Sequence, residues 1–273
     1  MTVELTLGDQ QVFVHTGGGE LDPSSGVIML IHGAGNDHTI WRFVTRRLAA
    51  GGFPVVAPDL PAHGKTSGPA LESIESMSEW CWKVVDELGA EQATLIGHSM
   101  GSLITMQMTV DEPGRVRAAG LFATAERMAV HPDLQRAADE LNPLAADLIV
   151  GWSHTGRSRF GHHTAPGVWM AGSNRRLLER NAGSLGCDLV ACSTWDGAGA
   201  FAELHVPTMI VEGERDRMAP SRAARPLYEH LPHAVWVEVP GGSHASLYDH
   251  PEAVVGPLVT WLEGLRARPV GRD

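Results

Sequence analysis

Ser99 stands in Gly97-His98-Ser99-Met100-Gly101, a G-x-S-x-G pattern between the apolar run ending at Ile96 and a helix-like segment. A strand that turns directly into a helix forces its turn residue into a strained backbone conformation, and glycines two residues to either side relieve the crowding. The hydroxyl then projects above the carboxyl edge of a sheet, over a helix N-terminus whose free N–H groups suit an anion. The pattern alone recurs by chance; its place between strand and helix is what carries meaning. The plain alternative is a tight turn with an incidental serine.

A serine hydroxyl is a weak nucleophile until a neighbouring base takes its proton. His244, in Gly241-Gly242-Ser243-His244-Ala245, follows the last expected strand and precedes the last expected helix, where a late loop can return to Ser99. His230 and His233 flank a helix end and His250 begins the final helix, so position disfavours them. The imidazole needs an acid to hold its tautomer and stabilise its charged form. Asp216, in Gly213-Glu214-Arg215-Asp216, sits at another strand end and completes the chain order Ser, Asp, His. Glu214 beside it and Glu126, past the strand ending at Phe122, are rivals for that role. An oxyanion needs two N–H donors. They are expected from Met100 and from Ala34 of His32-Gly33-Ala34-Gly35, with His32 itself read as a brace for the loop. These residue types in this order suit acyl transfer, with activity rising as His244 loses its proton.

The elements that would position them can be read from hydrophobic pattern. Val3 to Leu7 and Gln11 to His15 alternate and are joined by Gly8-Asp9, which predicts an antiparallel hairpin. Val27–Ile31, Pro54–Pro58, Ala93–Ile96, Ala118–Phe122, Thr208–Val211 and Val235–Val239 are short continuous apolar runs, predicting strands covered on both faces. Helical periodicity lies between or after them at His38–Ala50, Ile74–Leu88, Met100–Val110, Pro220–Leu231 and Pro251–Leu265. The alternation predicts an α/β fold with right-handed crossovers and a doubly wound sheet. Residues 127–202 break it with helix-like periodicity and no convincing strand, so they are expected as a helical insertion into a core of residues 1–126 and 203–273. Met128, Trp152, Trp169 and Met170 are candidates to line a pocket there, although ordinary packing also explains such residues at helical spacing. Arg175 and Arg176 are candidates to meet a substrate carboxylate, or are simply solvated.

Bulk properties narrow the class. The 273-residue chain has 21 Lys and Arg against 32 Asp and Glu, a net charge of -11, with the basic residues scattered, so nucleic acid is not an expected partner. No segment approaches the ~20 apolar residues that span a bilayer, and the opening M-T-V-E-L-T-L-G-D-Q lacks a basic region before an apolar run. No membrane association and a cytoplasmic location are therefore expected. Cys81, Cys187 and Cys192 form no C-x-x-C pair, and His154, His162 and His163 lack metal-ligand spacing, so neither a disulfide framework nor a metal is expected. Asp59 to Thr66 ends like a phosphate-binding loop, but Asp59 replaces the first glycine and would repel phosphate. Gly17-Gly18-Gly19 opens no helix and reads as a loop. Oligomeric state is left open.

H-G-A-G at His32, D-L-P-A-H-G at Asp59, G-H-S-M-G at Gly97, G-E-R-D at Gly213 and G-G-S-H at Gly241 together resemble the α/β-hydrolase superfamily, in its cap-bearing esterase, lactonase and haloperoxidase-like branch. The resemblance spans nearly the whole chain except the insertion. It implies an eight-stranded, mostly parallel sheet, a helical cap over Ser99, and cofactor-free cleavage of a small ester, lactone or thioester through an acyl-enzyme. Serine at position 99 departs from the dehalogenase and epoxide hydrolase members, which carry aspartate there. Carbon–carbon hydrolases using the same triad match less well, and a non-catalytic ligand receptor on the same fold is the remaining alternative.

Overall fold

Apolar runs become strands where alternate side chains find cover on opposite faces. The computed structural model describes residues 2–19, 21–155, 170–197, 199 and 204–267. Its sheet comprises β1 (Thr2–Leu7), β2 (Gln10–His15), β3 (Val27–Ile31), β4 (Val55–Pro58), β5 (Ala93–His98), β6 (Val116–Phe122), β7 (Thr208–Gly213) and β8 (Val235–Val239). The strand order is β1-β2-β4-β3-β5-β6-β7-β8. β1, β2 and β4 pair antiparallel, and β4 through β8 pair parallel. The eight strands and the mostly parallel sheet are those expected from sequence.

The two covered faces explain the continuous apolarity. Met29 and Ile31 of β3 join one apolar cluster with α2 (Ile74–Glu87) and α3 (Met100–Asp111), while Ile28 and Leu30 join another with α1 (Arg42–Ala50). The segment expected as one helix from His38 opens instead with a 3-10 turn, His38–Trp41, because the buried Asp37 carboxylate accepts the Thr39 N–H at 2.9 Å. β8 departs from expectation more clearly. It is an edge strand with one neighbour, and Val235 is 40% exposed, so its apolar run is only partly covered.

Between β6 and β7 lie α4 (Pro132–Asp139), α5 (Leu144–Ser153), α6 (Met170–Arg180) and α7 (Ala182–Thr194), with no strand among the described residues. They form a small apolar cluster of their own around Leu134, Ile149, Leu178, Leu185 and Leu189. Trp195 belongs instead to the main core and donates from Nε1 to Gln107 at 2.9 Å. After β7 come α8 (Ser221–His230), the short α9 (Ser246–Asp249) and α10 (Pro251–Arg266). Among the described residues no helix is long and apolar enough to cross a membrane.

Candidate active site

Ser99 sits between β5 and α3 with φ 54 and ψ -122, a conformation that side chains resist. A Cβ on Gly97 would lie 1.9 Å from the Gly101 carbonyl oxygen, and one on Gly101 would lie 2.2 Å from that of Ile31. The two glycines thus do different jobs: the first lets the elbow close on itself, and the second lets α3 approach the end of β3. Gly33 is confined less severely: its Cβ would meet that of Ser99 at 3.1 Å.

Three distant side chains converge here. The Ser99 hydroxyl donates to His244 Nε2 at 3.0 Å, and His244 Nδ1–H donates to Asp216 Oδ2 at 2.8 Å. Because a carboxylate only accepts, this contact places the proton on Nδ1 and turns a lone pair toward Ser99. The other Asp216 oxygen accepts the Met218 and Ala219 N–H groups at 2.8 and 2.9 Å, and the side chain is wholly buried. The rival acids are placed elsewhere. Glu214 is exposed and accepts the Gly241 N–H at 2.6 Å, bracing the loop that carries His244, and Glu126 makes no described hydrogen bond to that histidine.

His98, read from sequence only as the variable residue of the elbow, is buried and donates from Nε2 to the His244 carbonyl at 2.9 Å. It therefore ties the elbow to the histidine loop. Burial, helped by the nearby His244, pulls its pKa down to about 3 and keeps the ring neutral. His32 braces as expected, donating from Nδ1 to the Gly33 carbonyl at 2.9 Å and accepting the Leu60 N–H at 3.0 Å. The Met100 N–H is the first of α3 and the Ala34 N–H lies in the loop after β3; neither makes a hydrogen bond among the described residues. Behind Asp216, the Glu212 carboxyl accepts the Thr124 N–H at 2.9 Å through one oxygen, and the other has no partner. Burial pushes its pKa well up, and the Asp216 charge adds to the effect.

The helices between β6 and β7 are fastened to these loops. Asp188 of α7 accepts the Gly35 N–H and the His63 Nε2–H, both at 2.8 Å. His63 Nδ1–H donates to the Pro61 carbonyl at 2.9 Å, so both ring nitrogens face acceptors. Burial pulls this imidazole down, but Asp188, the Pro61 carbonyl and Asp59 together outweigh it and the pKa is raised. Asn181 donates to the Gly35 and Asn36 carbonyls at 3.1 and 2.9 Å. A separate chain runs from Ser243 through Asp249 and His154 to Asn174, linking the histidine loop to α6.

Ser99 and His244 open onto a cavity of about 400 Å³, and Ala34 is also in its wall. Met128 and Trp152 line it with Val130, Leu134, Ile149 and Leu189. Trp169 lies outside the described residues, as do His162 and His163; Met170 opens α6, but its side chain is not among those described. Neither Arg175 nor Arg176 lines the cavity: Arg175 pairs with Asp147 at 2.7 Å and with Glu179 on the surface. Among the described residues the arginine in the wall is Arg217, which the sequence reading passed over in its loop beside Asp216. Asp37, His38 and Asp59 bring potential metal-ligand atoms within 4.8 Å of one another, but these atoms already serve the fold. Asp59 accepts from His38 and the Lys65 N–H, while Asp37 accepts from Thr39 and Arg180.

Comparison with known proteins finds relatives for the chain. Residues 26–251 match the family model described as alpha/beta hydrolase fold. The magnesium-chelatase 30 kDa subunit of Rhodobacter capsulatus is 27% identical over 257 residues, covering 89% of this chain and 89% of that protein. The pimeloyl-[acyl-carrier protein] methyl ester esterase of Yersinia enterocolitica is 25% identical over 241 residues, covering 83% and 89%. Among solved structures, the enol-lactonase from Burkholderia xenovorans LB400 superposes with a TM-score of 0.82 at 20% identity, covering 96% of this chain and 100% of that one, a likeness of fold.

Proposed function

The chain belongs to the alpha/beta hydrolase fold family, and on that basis we propose that it is a serine hydrolase cleaving a carboxylic ester, lactone or thioester of a small-molecule substrate. Ser99 is the nucleophile, His244 the general base and Asp216 the acid that orients it. His244 takes the hydroxyl proton as Ser99 Oγ bonds to the substrate carbonyl carbon, and the Ala34 and Met100 amides hold the resulting oxyanion. The bond to the alcohol or thiol breaks as the imidazolium protonates that leaving group. Water, deprotonated by the same histidine, then attacks the acyl-enzyme and releases the acid and Ser99. Residues 127–202 serve as a helical cap on a core of residues 1–126 and 203–273, and the cavity beneath receives the acyl or alcohol chain.

The observation that supports this most is the hydrogen-bonded line from Ser99 through His244 to Asp216 at the wall of the 400 Å³ cavity. The names of the Yersinia esterase and the Burkholderia enol-lactonase point the same way. A fluorophosphonate probe followed by intact-mass measurement tests it. One probe per chain is expected, lost in Ser99→Ala and His244→Ala, together with turnover of members of a panel of acyl esters, thioesters and lactones. Folded protein that takes no probe overturns the reading in favour of a receptor. Turnover of a diketone without any ester turnover replaces it with carbon–carbon cleavage.

A further inference from the structure

Two polar side chains in the cavity wall take no part in that chemistry, Asn36 of the oxyanion loop and Asn174 of α6. Their amide orientations are dictated by their neighbours. Asn36 Nδ2 donates to the Ala34 carbonyl at 3.0 Å, a partner that can only accept. Asn174 Nδ2 faces His154 Nε2 at 3.2 Å, and His154 Nδ1–H is directed at the Asp249 carboxylate at 3.2 Å. In the neutral ring whose proton faces Asp249, Nε2 carries a lone pair, and the Asn174 NH₂ turned toward it donates. The opposite prong of each amide, Oδ1, is buried and has no hydrogen-bond partner. Asn174 itself is only 5% exposed. Buried acceptors are normally satisfied, and an unsatisfied one on a residue that lines a cavity is a candidate to be met by what the cavity holds.

We propose that Asn174, with Asn36, forms a hydrogen-bond-accepting subsite, and that the substrate is an ester or lactone bearing an N–H or O–H donor on the chain beneath the cap. This rests on the serine-hydrolase reading above. The rest of the pocket favours the same class. Val130, Leu134, Ile149 and Leu189 offer apolar surface for a carbon chain, but a plain alkyl chain brings neither oxygen a donor. A hydroxyacyl or acylamino chain fills the apolar volume and supplies the missing donor. The Ser243, Asp249 and His154 chain behind Asn174 holds its amide in place, so the acceptor is set before substrate arrives.

Matched substrate pairs test this: p-nitrophenyl esters of hydroxy acids, the hydroxyl moved one carbon at a time, each against its methyl-branched counterpart, and N-acylglycine esters against their keto-methylene counterparts. At one donor position wild type is expected to favour the donor-bearing member in kcat/KM by about tenfold or more. Asn174→Leu levels that ratio and Asn36→Leu lowers it, with melting temperatures recorded to show that each variant is folded. Calorimetric titration of Ser99→Ala with the same pairs reads the preference without turnover. A ratio near unity in wild type at every position, or one unmoved in both folded variants, overturns the subsite while esterase activity stands. A donor preference in the Ser99→Ala titration with no probe labelling and no ester turnover retains the subsite and overturns the hydrolase reading instead.

Discussion

Ser99 shows how a single residue trades stability for position. At φ 54 and ψ -122 its side chain is held where glycine would be at ease, a strain of roughly 1–3 kcal/mol. Ser99→Gly is therefore expected to raise the melting temperature while removing all probe labelling, whereas Ser99→Ala removes labelling without the gain. Asp216 has a comparable economy of atoms, because one oxygen faces His244 and the other two backbone N–H groups. An asparagine there must turn its NH₂ toward one of these donors, so under the proposed mechanism Asp216→Asn is expected to lower kcat by about 10⁴-fold with little change in KM. Neither residue's neighbours could be named from the motif alone, yet both sit where the motif's order put them.

At the scale of elements, the helices α4 to α7 are joined to the core through few but buried polar contacts. Asp188 is the clearest, since its side chain reaches both the Gly35 N–H, one residue from Ala34, and the His63 Nε2–H. Removing it takes the acceptor from the Gly35 N–H and the carboxylate from the buried His63 ring, a loss of about 1–3 kcal/mol. It also frees the loop that presents the Ala34 amide. Asp188→Ala is therefore expected to unfold at lower denaturant concentration and, in enzyme that remains folded, to lose about ten- to a hundredfold in kcat/KM. Denaturant melts and steady-state kinetics on the same preparation separate the two effects.

For the whole molecule, buried titratable groups set how stability follows pH. Glu212 keeps its proton in the folded state well above the ordinary 4.5, whereas the unfolded chain releases it there, so stability drains away as pH rises above 4.5. His98 and His32 have the opposite sense: unfolded, they bind a proton below 6.5, but folded they do so only near about 3 and about 4, so stability falls as pH drops below 6.5. Melting temperature is accordingly expected to fall on the acid side in wild type and Glu212→Gln alike. On the alkaline side the glutamine variant should melt above wild type by a margin that grows from pH 4.5 upward. A constant margin across that range would show that Glu212 ionises freely in the fold.

The sequence alone carried whatever depends on neighbours along the chain. Apolar runs marked the strands, the glycines around Ser99 marked the elbow, and the order of Ser99, Asp216 and His244 followed from which strand each trails. These are short-range matters of periodicity and backbone sterics, written in consecutive residues. What the tertiary structure decided lies across the crossovers. His98 meets the His244 carbonyl across 146 residues and His63 meets Asp188 across 125. The pairing of His244 with Asp216 and not with Glu214 or Glu126, the placing of Arg217 rather than Arg175 in the cavity wall, and the half-bare edge at β8 are of the same kind. Each depends on which strands become neighbours and which way a loop leaves the sheet, and no local pattern encodes that.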